Sequence, residues 1–432
     1  MKLRVGVRDD VAWLFGFAAL HVAIFAGLFG RGYNMPFSGT GLFYDYGSAL
    51  VAGQVPYRDF FVEYPPFALV FFTLPRLVSG TFHWYYVAYQ TQVVLFDLIT
   101  LGALYAARED ARPAWWILGA YTLAVLAVGP IILEQYDVFP AAFTLLAVVY
   151  YSRGRDAAAW IFLALGVMTK VYPLLIAPVF LLMDWRRGLR VRDVARAAVA
   201  FTATCVVVVL PLLVIAPTSL TRMVAFHAQR GIHLDSTYGS LALVVDAFNL
   251  SFVHVVFTFR SWNLAGPVPD VLARLSTPLL GLLLLGAYAF IAKCIRALDA
   301  EHTRDVRVVA TCSAFVLLAG LVGSKVLSPQ YLIWVLPLIP LVTRPHRYVA
   351  WGVFALTGLM TYYIYPLRYG DLMSRQESAI AALAVRSLLL VTLTLIVADS
   401  LRLLSKEPSN DRLSERNDRS HSSTTDTSFA NS

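Results

Sequence analysis

Five polar segments interrupt an otherwise apolar chain, and they carry nearly all the side chains able to do acid–base or anion-binding chemistry. The first reads YDYGSALVAGQVPYRDFFVEYPP and sets Asp45, Asp59 and Glu63 among aromatic residues that include Tyr44 and Tyr64. Aromatic rings cover the apolar face of a sugar while carboxylates accept its hydroxyl protons, so this string suits a carbohydrate. The plain alternative is a wet loop with surface acids and an interfacial aromatic belt. In the second segment, Glu134-Gln135-Tyr136-Asp137, two acids fall within one tight turn between apolar stretches. Ionisable groups at a membrane border are costly unless solvated or paired, which points to a cavity there. Asp137 also directly precedes an expected helix, so N-capping is the competing reading.

Cations follow. Lys170, in MTKVYP, interrupts an apolar stretch, where its partner is a phosphate or an acid, or where it snorkels to the headgroups. The string HAQRGIHLDSTYGS gathers His227, Arg230, His233, Asp235 and Ser236. Two histidines and one aspartate at these spacings match no metal motif, and a phosphate-and-sugar contact loop is the more economical reading. Finally, Gly323-Ser324-Lys325-Val326-Leu327-Ser328-Pro329-Gln330-Tyr331 sets one lysine beside a backbone-breaking proline, and a lone lysine with freed backbone donors makes an anion site.

These segments need a frame, and composition says which. Of 432 residues, 58% are hydrophobic and 14% charged; a soluble domain carries about 25% charged residues to cover itself. Apolar stretches recur from residue 11 to residue 404 with no long polar interval, so the chain reads as one all-α polytopic membrane domain over 11–404. A cytoplasmic N-terminus, 1–10, precedes it, and a tail, 405–432, too polar to order itself, follows. Val11 to Gly30 follows Lys2, Arg4 and Arg8 but lacks a small-residue cleavage pattern, so it is expected to be a retained first helix. Cys205, Cys294 and Cys312 all fall in or at the edge of apolar stretches and read as packing residues.

The formal charge of +8 is dispersed in short clusters between apolar stretches, which is the positive-inside pattern and not a nucleic-acid face. The clusters Arg108/Arg112, Arg153/Arg155, Arg186 to Arg196, Lys293 to Arg307 and Arg344/Arg347 therefore share the cytoplasmic side with the N-terminus, and each successive pair encloses an even number of crossings. Helices are then expected near 11–30, 84–106, 114–133, 138–152, 157–170, 172–184, 197–216, 271–292, 308–323, 331–343, 348–365 and 380–403, about a dozen in all. The same parity puts segments 31–64, 134–137, 170–173, 217–240 and 324–330 on the outer face. Residues 65–80 and 241–258, broken by Pro75, Arg76, Asp246 and Asn249, read as interfacial or re-entrant helices inside two large outer loops, 31–83 and 217–270.

Tyr44-Asp45 leading to Glu63-Tyr64-Pro65-Pro66, then Glu134-Gln135-Tyr136-Asp137, Lys170-Val171-Tyr172-Pro173, Arg230-Gly231 with Asp235-Ser236, and the string Lys325 to Tyr331 occur in the order seen in glycosyltransferase family 87. The chain resembles that family over roughly residues 40 to 345, most specifically in the Lys325 string. Two positions depart from the family pattern, which more often carries a glutamate where Asp235 stands and a glutamine where His233 stands. The resemblance implies a GT-C glycosyltransferase fold, with about 12 transmembrane helices and interfacial helices in the outer loops. It also implies an enzyme of a bacterial plasma membrane with its active site on the extracytoplasmic face, since the family includes actinobacterial α-(1→2)-mannosyltransferases that use polyprenyl-phosphate-mannose.

By that resemblance Asp45 acts as general base, with Glu63 and Asp59 in reserve, and Lys325, Arg230 and Lys170 hold the donor phosphate. Tyr44, Glu63, Tyr64, Glu134, Gln135, Asp137, His227, His233, Asp235, Ser236, Gln330 and Tyr331 would contact sugar or acceptor. Attack by an acceptor hydroxyl opposite the leaving phosphate predicts inversion. The departing polyprenyl phosphate gains negative charge that the cations stabilise, so no obligatory metal or other cofactor is expected. Mannose is the leading sugar, and the acceptor is a lipid or a cell-envelope glycan. The rival class is a transporter or flippase of lipid-linked saccharides. It predicts charges near the bilayer centre, whereas catalysis predicts them at one border, with Asp45 and Lys325 on the same side around a hollow.

Overall fold

The computed structural model describes residues 3–29, 39–108, 113–188 and 190–406. Residues 30–38 of the first outer loop, and the tail expected to be disordered except for Ser405 and Lys406, lie outside them. In chain order the helices are α1 (Leu3–Leu28), α2 (Thr40–Val51), α3 (Ala68–Leu77), α4 (Phe82–Ala106), α5 (Trp115–Val128), α6 (Ile131–Glu134), α7 (Val138–Ser152), α8 (Asp156–Thr169) and α9 (Ala177–Arg186). They continue as α10 (Val191–Ile215), α11 (Ser219–Ala228), α12 (Thr237–Ala247), α13 (Pro267–Arg296), α14 (Val306–Gly323), α15 (Arg347–Tyr362), α16 (Tyr369–Met373) and α17 (Glu377–Leu404).

Among the described residues six segments are long and apolar enough to cross a membrane: Asp10–Leu28 of α1 and the whole of α4, α10, α13, α14 and α17. The chain is therefore an integral membrane protein. Burial separates these spans by role. The apolar window of α14 is 83% buried and that of α10 only 6%, so α14 is the axis of the bundle and α10 presents its valines to lipid. Small residues make the axis possible: a Cβ added at Gly320 would lie 3.0 Å from Leu175 Cδ1, and one at Gly323 would lie 2.9 Å from Leu283 Cδ2.

The basic clusters gather at one end of the bundle. Arg108 reaches Asp10 at 3.2 Å, Arg153 the Ala106 carbonyl at 2.7 Å, Arg304 both oxygens of Asp156 at 2.6 and 2.9 Å, and Arg186 the Ile295 carbonyl at 3.2 Å. The opposite end holds the polar segments, tied to one another as described below. Between the ends a buried network joins α1, α4 and α5: His21 Nδ1 lies 2.7 Å from Asp97 Oδ2, His21 Nε2 lies 2.9 Å from Thr122 Oγ1, and the Tyr121 hydroxyl donates to Asp97 Oδ1 at 2.8 Å.

Four expectations need correction. The fold is mostly helical but not all-α: β1 (Ile232–His233), β2 (His254–Thr258) and β3 (Ser261–Ala265) form an antiparallel sheet in the order β1-β3-β2. The reason is local. His254-Val-Val-Phe-Thr is rich in strand formers, and the Phe259-Arg260 turn has φ of 51° and 54° at its two central residues, the left-handed geometry whose twist suits a two-residue hairpin. The helix expected over 241–258 accordingly stops at Ala247, where Asn249 turns the chain at φ 57°. The helix expected over 331–343 is two short 3₁₀ turns, Pro329–Trp334 and Ile339–Leu341, because Pro329, Pro337 and Pro340 each remove an amide donor. Similarly 172–184 opens as a 3₁₀ turn, Tyr172–Ile176, carrying Pro173. Besides α3, the first outer loop holds the helix α2, which buries Phe43, Tyr46 and Gly47.

Candidate active site

Lys325 occupies the link between α14 and the Pro329–Trp334 turn, where extended backbone at Ser324 ends the helix. Its Nζ donates to the Ala228 carbonyl at the end of α11, 2.9 Å away. Around it opens a cavity of about 240 Å³ walled by His227, Arg230, Ser324, Tyr331 and Trp334 and, on α13, by Ser276, Thr277 and Leu280. Arg230 spends one nitrogen on Ser261 Oγ at 2.8 Å, and its Nε is buried without a partner. Partial burial and the neighbouring Arg230 guanidinium both hold the Lys325 ammonium below its ordinary pKa. Two cations held together in a partly buried site relax when an anion arrives.

The floor of the cavity is aromatic. In a 3₁₀ turn, side chains at i and i+3 eclipse, and Tyr331 stacks on Trp334 with centroids 4.0 Å apart. Tyr172 stacks on the other face of Trp334 at 4.2 Å, nearly parallel at 3°. Beneath this stack Lys170 lies 4.6 Å from the Tyr136 centroid, 4.8 Å from that of Tyr331 and 5.4 Å from that of Trp334. Its Nζ contacts Asp137 Oδ1 at 2.6 Å, and the same oxygen accepts the Trp334 indole N–H at 2.6 Å. Asp137 makes no side-chain cap bond to α7, so of its two readings the lateral pair is the one realised. Lys170 likewise takes the acid as its partner.

The first outer loop forms the roof. Phe43 stacks on Phe72 at 4.3 Å, and the backbones of α2 and α3 approach so closely that a Cβ at Gly47 would lie 2.4 Å from the Phe72 carbonyl. Tyr44 packs on Tyr85 at 5.1 Å with the Arg76 guanidinium 5.6 Å from its ring. Tyr46 turns toward the hairpin tip, where its hydroxyl accepts a bond from Arg260; burial and the nearby Glu63 carboxylate push that hydroxyl up to about 12. Asp45, between them, is exposed and does not line the cavity. Asp59 bonds the Val55 amide and Arg58, both at 2.7 Å, which holds its carboxyl at about 2, a poor base. Of the three first-loop acids, Glu63 is the one bonded to a residue of the cavity wall. Its carbonyl accepts from His227 Nε2 at 2.9 Å, its Oε2 is buried without a partner, and Tyr64 lies beside it. Contacts thus run unbroken from α2 through Tyr46, Glu63 and His227 to Ala228 and Lys325, on one end of the bundle.

Other expected site residues serve the frame. Glu134, 1% exposed, accepts from Thr40 Oγ1 at 3.1 Å, Tyr86 hydroxyl at 2.6 Å and Gln90 Nε2 at 3.0 Å, tying α2 to α4 and α6. Gln135 packs against Gly39 at the start of α2. Ser236 caps α12, accepting from the Gly239 amide at 2.9 Å. His233 and Asp235 are buried behind Lys325, and Gln330 is half-buried in the Pro329–Trp334 turn. Trp334 and Tyr172 were missed as site residues because both lay inside presumed apolar helices. The i, i+3 spacing of Tyr331 and Trp334 behind Pro329 was the available signal. Among the described residues no three His, Cys, Asp or Glu side chains converge as metal ligands.

The family profile described as "Glycosyltransferase family 87" matches residues 61–329. No curated protein matches the chain. Among solved structures, ArnT from Cupriavidus metallidurans bound to undecaprenyl phosphate aligns with a TM-score of 0.45 at 14% identity, over 89% of this chain and 77% of that one. The apo state of the same protein aligns with a TM-score of 0.46 at 14% identity, over 90% and 77%.

Proposed function

The chain belongs to glycosyltransferase family 87, and from that premise we propose that it moves a sugar, mannose first, from a polyprenyl-phosphate donor to a lipid or cell-envelope glycan acceptor with inversion at the anomeric carbon. The observation that carries this reading is the cavity in which Lys325 and Arg230 face an aromatic floor beside Ser276, Thr277 and Leu280 of α13. A phosphodiester with a sugar on one side and an isoprenoid chain on the other needs those three surfaces. The phosphate takes the cations, the sugar's apolar face takes Tyr331, the outer ring of the stack on Trp334, and the chain takes lipid along Leu280. As the sugar leaves, the phosphate gains negative charge, and Lys325 and Arg230 are already placed where that charge develops.

The Asp45 carboxylate is the base that removes the acceptor proton. It is exposed on α2 and outside the cavity wall, so it serves an acceptor hydroxyl held between α2 and the cavity mouth, whereas Asp59 is committed to Arg58 and the Val55 amide. Glu63, joined to the cavity wall through His227, takes a sugar hydroxyl with its unbonded oxygen. In this reading the fold is the GT-C arrangement, with about 12 crossings once the shorter helices are counted, and the site end faces out of a bacterial cytoplasm.

The test is purified protein incubated with radiolabelled polyprenyl-phosphate sugars and a membrane lipid extract. Transfer from the mannosyl donor should be abolished by Asp45→Asn, while Glu63→Gln should chiefly raise the donor KM. The reverse pattern moves the base to Glu63, and absence of transfer from every polyprenyl-phosphate sugar rejects the donor class.

A further inference from the structure

Lys325 lies in a segment that no helix or strand supports. Its immediate neighbours offer only the Ser324 hydroxyl, which donates to the Val326 carbonyl at 2.8 Å, and Pro329 brings no amide. What holds the segment is the turn that follows β1. The His233 amide donates to the Lys325 carbonyl at 2.9 Å. The ring completes the clamp: His233 Nδ1 accepts from the Asp235 amide at 3.3 Å, which leaves the hydrogen on Nε2, and the ring bonds the Leu327 main chain. Both nitrogens are therefore spent on backbone, and none is left for a sugar.

The turn is itself held from behind. Arg386, on α17 and 2% exposed, donates to the Asp235 carbonyl. A buried guanidinium is costly unless it is bonded; here one nitrogen is spent on the Asp235 carbonyl, Nη1 is buried without a partner, and the Asp235 carboxyl lies beside it. From the other side α12 closes on the turn so tightly that a Cβ at Gly239 would lie 2.4 Å from the His233 carbonyl. Burial, reinforced by the cationic Arg230, depresses the His233 imidazole to about 3, so it stays neutral and its tautomer stays fixed.

We infer that His233 and Arg386 are positioning residues for the anion-binding Lys325: α17 fixes the turn through Arg386, the turn fixes the Lys325–Leu327 strand through His233, and neither residue touches the cavity. This rests on the assignment of Lys325 to the donor phosphate. A lysine on an unsupported strand would find the phosphate in many geometries. One clamped at its own carbonyl and two residues later presents its ammonium in one, and pre-organisation of that kind appears in binding.

The experiment measures equilibrium binding of undecaprenyl phosphate to the full chain in detergent, with donor KM and kcat on the same preparations. His233→Phe removes the ring's hydrogen bonds at similar volume, and losing one such bond should weaken binding about tenfold, with kcat at saturating donor within about threefold. His233→Gln, whose amide N–H sits near the Nε2 position, should recover most of the loss. Arg386→Met should weaken binding by an independent route, which also covers the case in which His233→Phe does not fold. Because the effect passes through Lys325, adding His233→Phe to Lys325→Ala should cost nothing further. Wild-type affinity in both His233→Phe and Arg386→Met, or a full second loss in the Lys325→Ala background, overturns the inference while leaving the phosphate site standing. If Lys325→Ala alone binds undecaprenyl phosphate as the wild type does, the phosphate assignment fails and the inference falls with it.

Discussion

Replacing Lys170 by Met separates two roles for a cation at the floor of the site. The change keeps the apolar stem and removes the ammonium, leaving Asp137, whose side chain is 0% exposed, with only the Trp334 N–H at 2.6 Å. Breaking a buried pair from one side costs roughly 3–5 kcal/mol, because the remaining charge is uncompensated. The reverse change should cost less. In Asp137→Asn the lysine keeps 14% exposure and three ring faces at 4.6, 4.8 and 5.4 Å, contacts worth about 0.5–2 kcal/mol each. Combining the two should restore much of the stability, with a coupling of about 2 kcal/mol or more in the cycle. Unfolding in detergent, read by denaturant midpoint, measures all four corners, and undecaprenyl phosphate binding is measured alongside. Strict additivity would refute the pair as a unit. A Lys170→Met protein of undiminished stability that loses the phosphate ligand would return Lys170 to the donor site, as the sequence resemblance implies.

Three further outcomes are expected. Gly239→Ala forces a Cβ to 2.4 Å from the His233 carbonyl and 2.6 Å from the Leu234 carbonyl, both backbone atoms, so it should destabilise by about 1–3 kcal/mol and be visible as a lowered unfolding midpoint. The Asp235 carboxyl, raised by burial from 3.8 to about 7 against the pull of Arg386, keeps its proton in the native state where the unfolded chain has lost it. Its contribution must therefore make stability fall as pH rises between about 4 and 7, and Asp235→Asn should flatten the midpoint curve over that range. In the α1–α4–α5 network, Asp97→Leu alone strands His21 and should destabilise. The His21→Leu/Asp97→Leu double variant should regain stability, because two well-packed apolar residues replace a satisfied buried pair at little cost.

Much of the frame was legible because a bilayer leaves few options. Apolar length, basic clusters and parity place α1, α4, α10, α13, α14 and α17 and bring the basic clusters to one end, and all of these rest on transfer energetics that do not depend on partners. The sheet was not legible: a five-residue strand such as His254–Thr258 follows an apolar helix with no long polar break, and only the Phe259-Arg260 turn, which carries no Gly or Asn, separates it from its partner. At the site, residue type was informative and partner choice was not. Glu134, Asp137 and Lys170 all stood out as costly ions in apolar surroundings, yet nothing in their spacing says that Glu134 is consumed by Thr40, Tyr86 and Gln90 while Lys325 and Arg230 are left to face a cavity. His233 shows the same limit, since its bonds go to backbone groups that sequence cannot display.

Depth distinguishes transfer from transport, and the cavity residues differ on it from the His21–Asp97 pair. Lys325, Arg230 and His227 line open volume at one end of the bundle, with Glu63 bonded to His227. His21 and Asp97 lie between the ends, where a translocation path would need them, but His21 has both nitrogens bonded, Thr122 passes its own hydrogen to the Leu118 carbonyl at 2.8 Å, and both side chains are 0% exposed. A group that relays a substrate or proton must exchange partners with water or with the cargo, and a fully satisfied, dry group cannot do so without opening the packing around it. The central pair therefore reads as a polar staple that seats α1 against α4 and α5. The chemistry belongs to the border, where the cations keep an unfilled space in front of them.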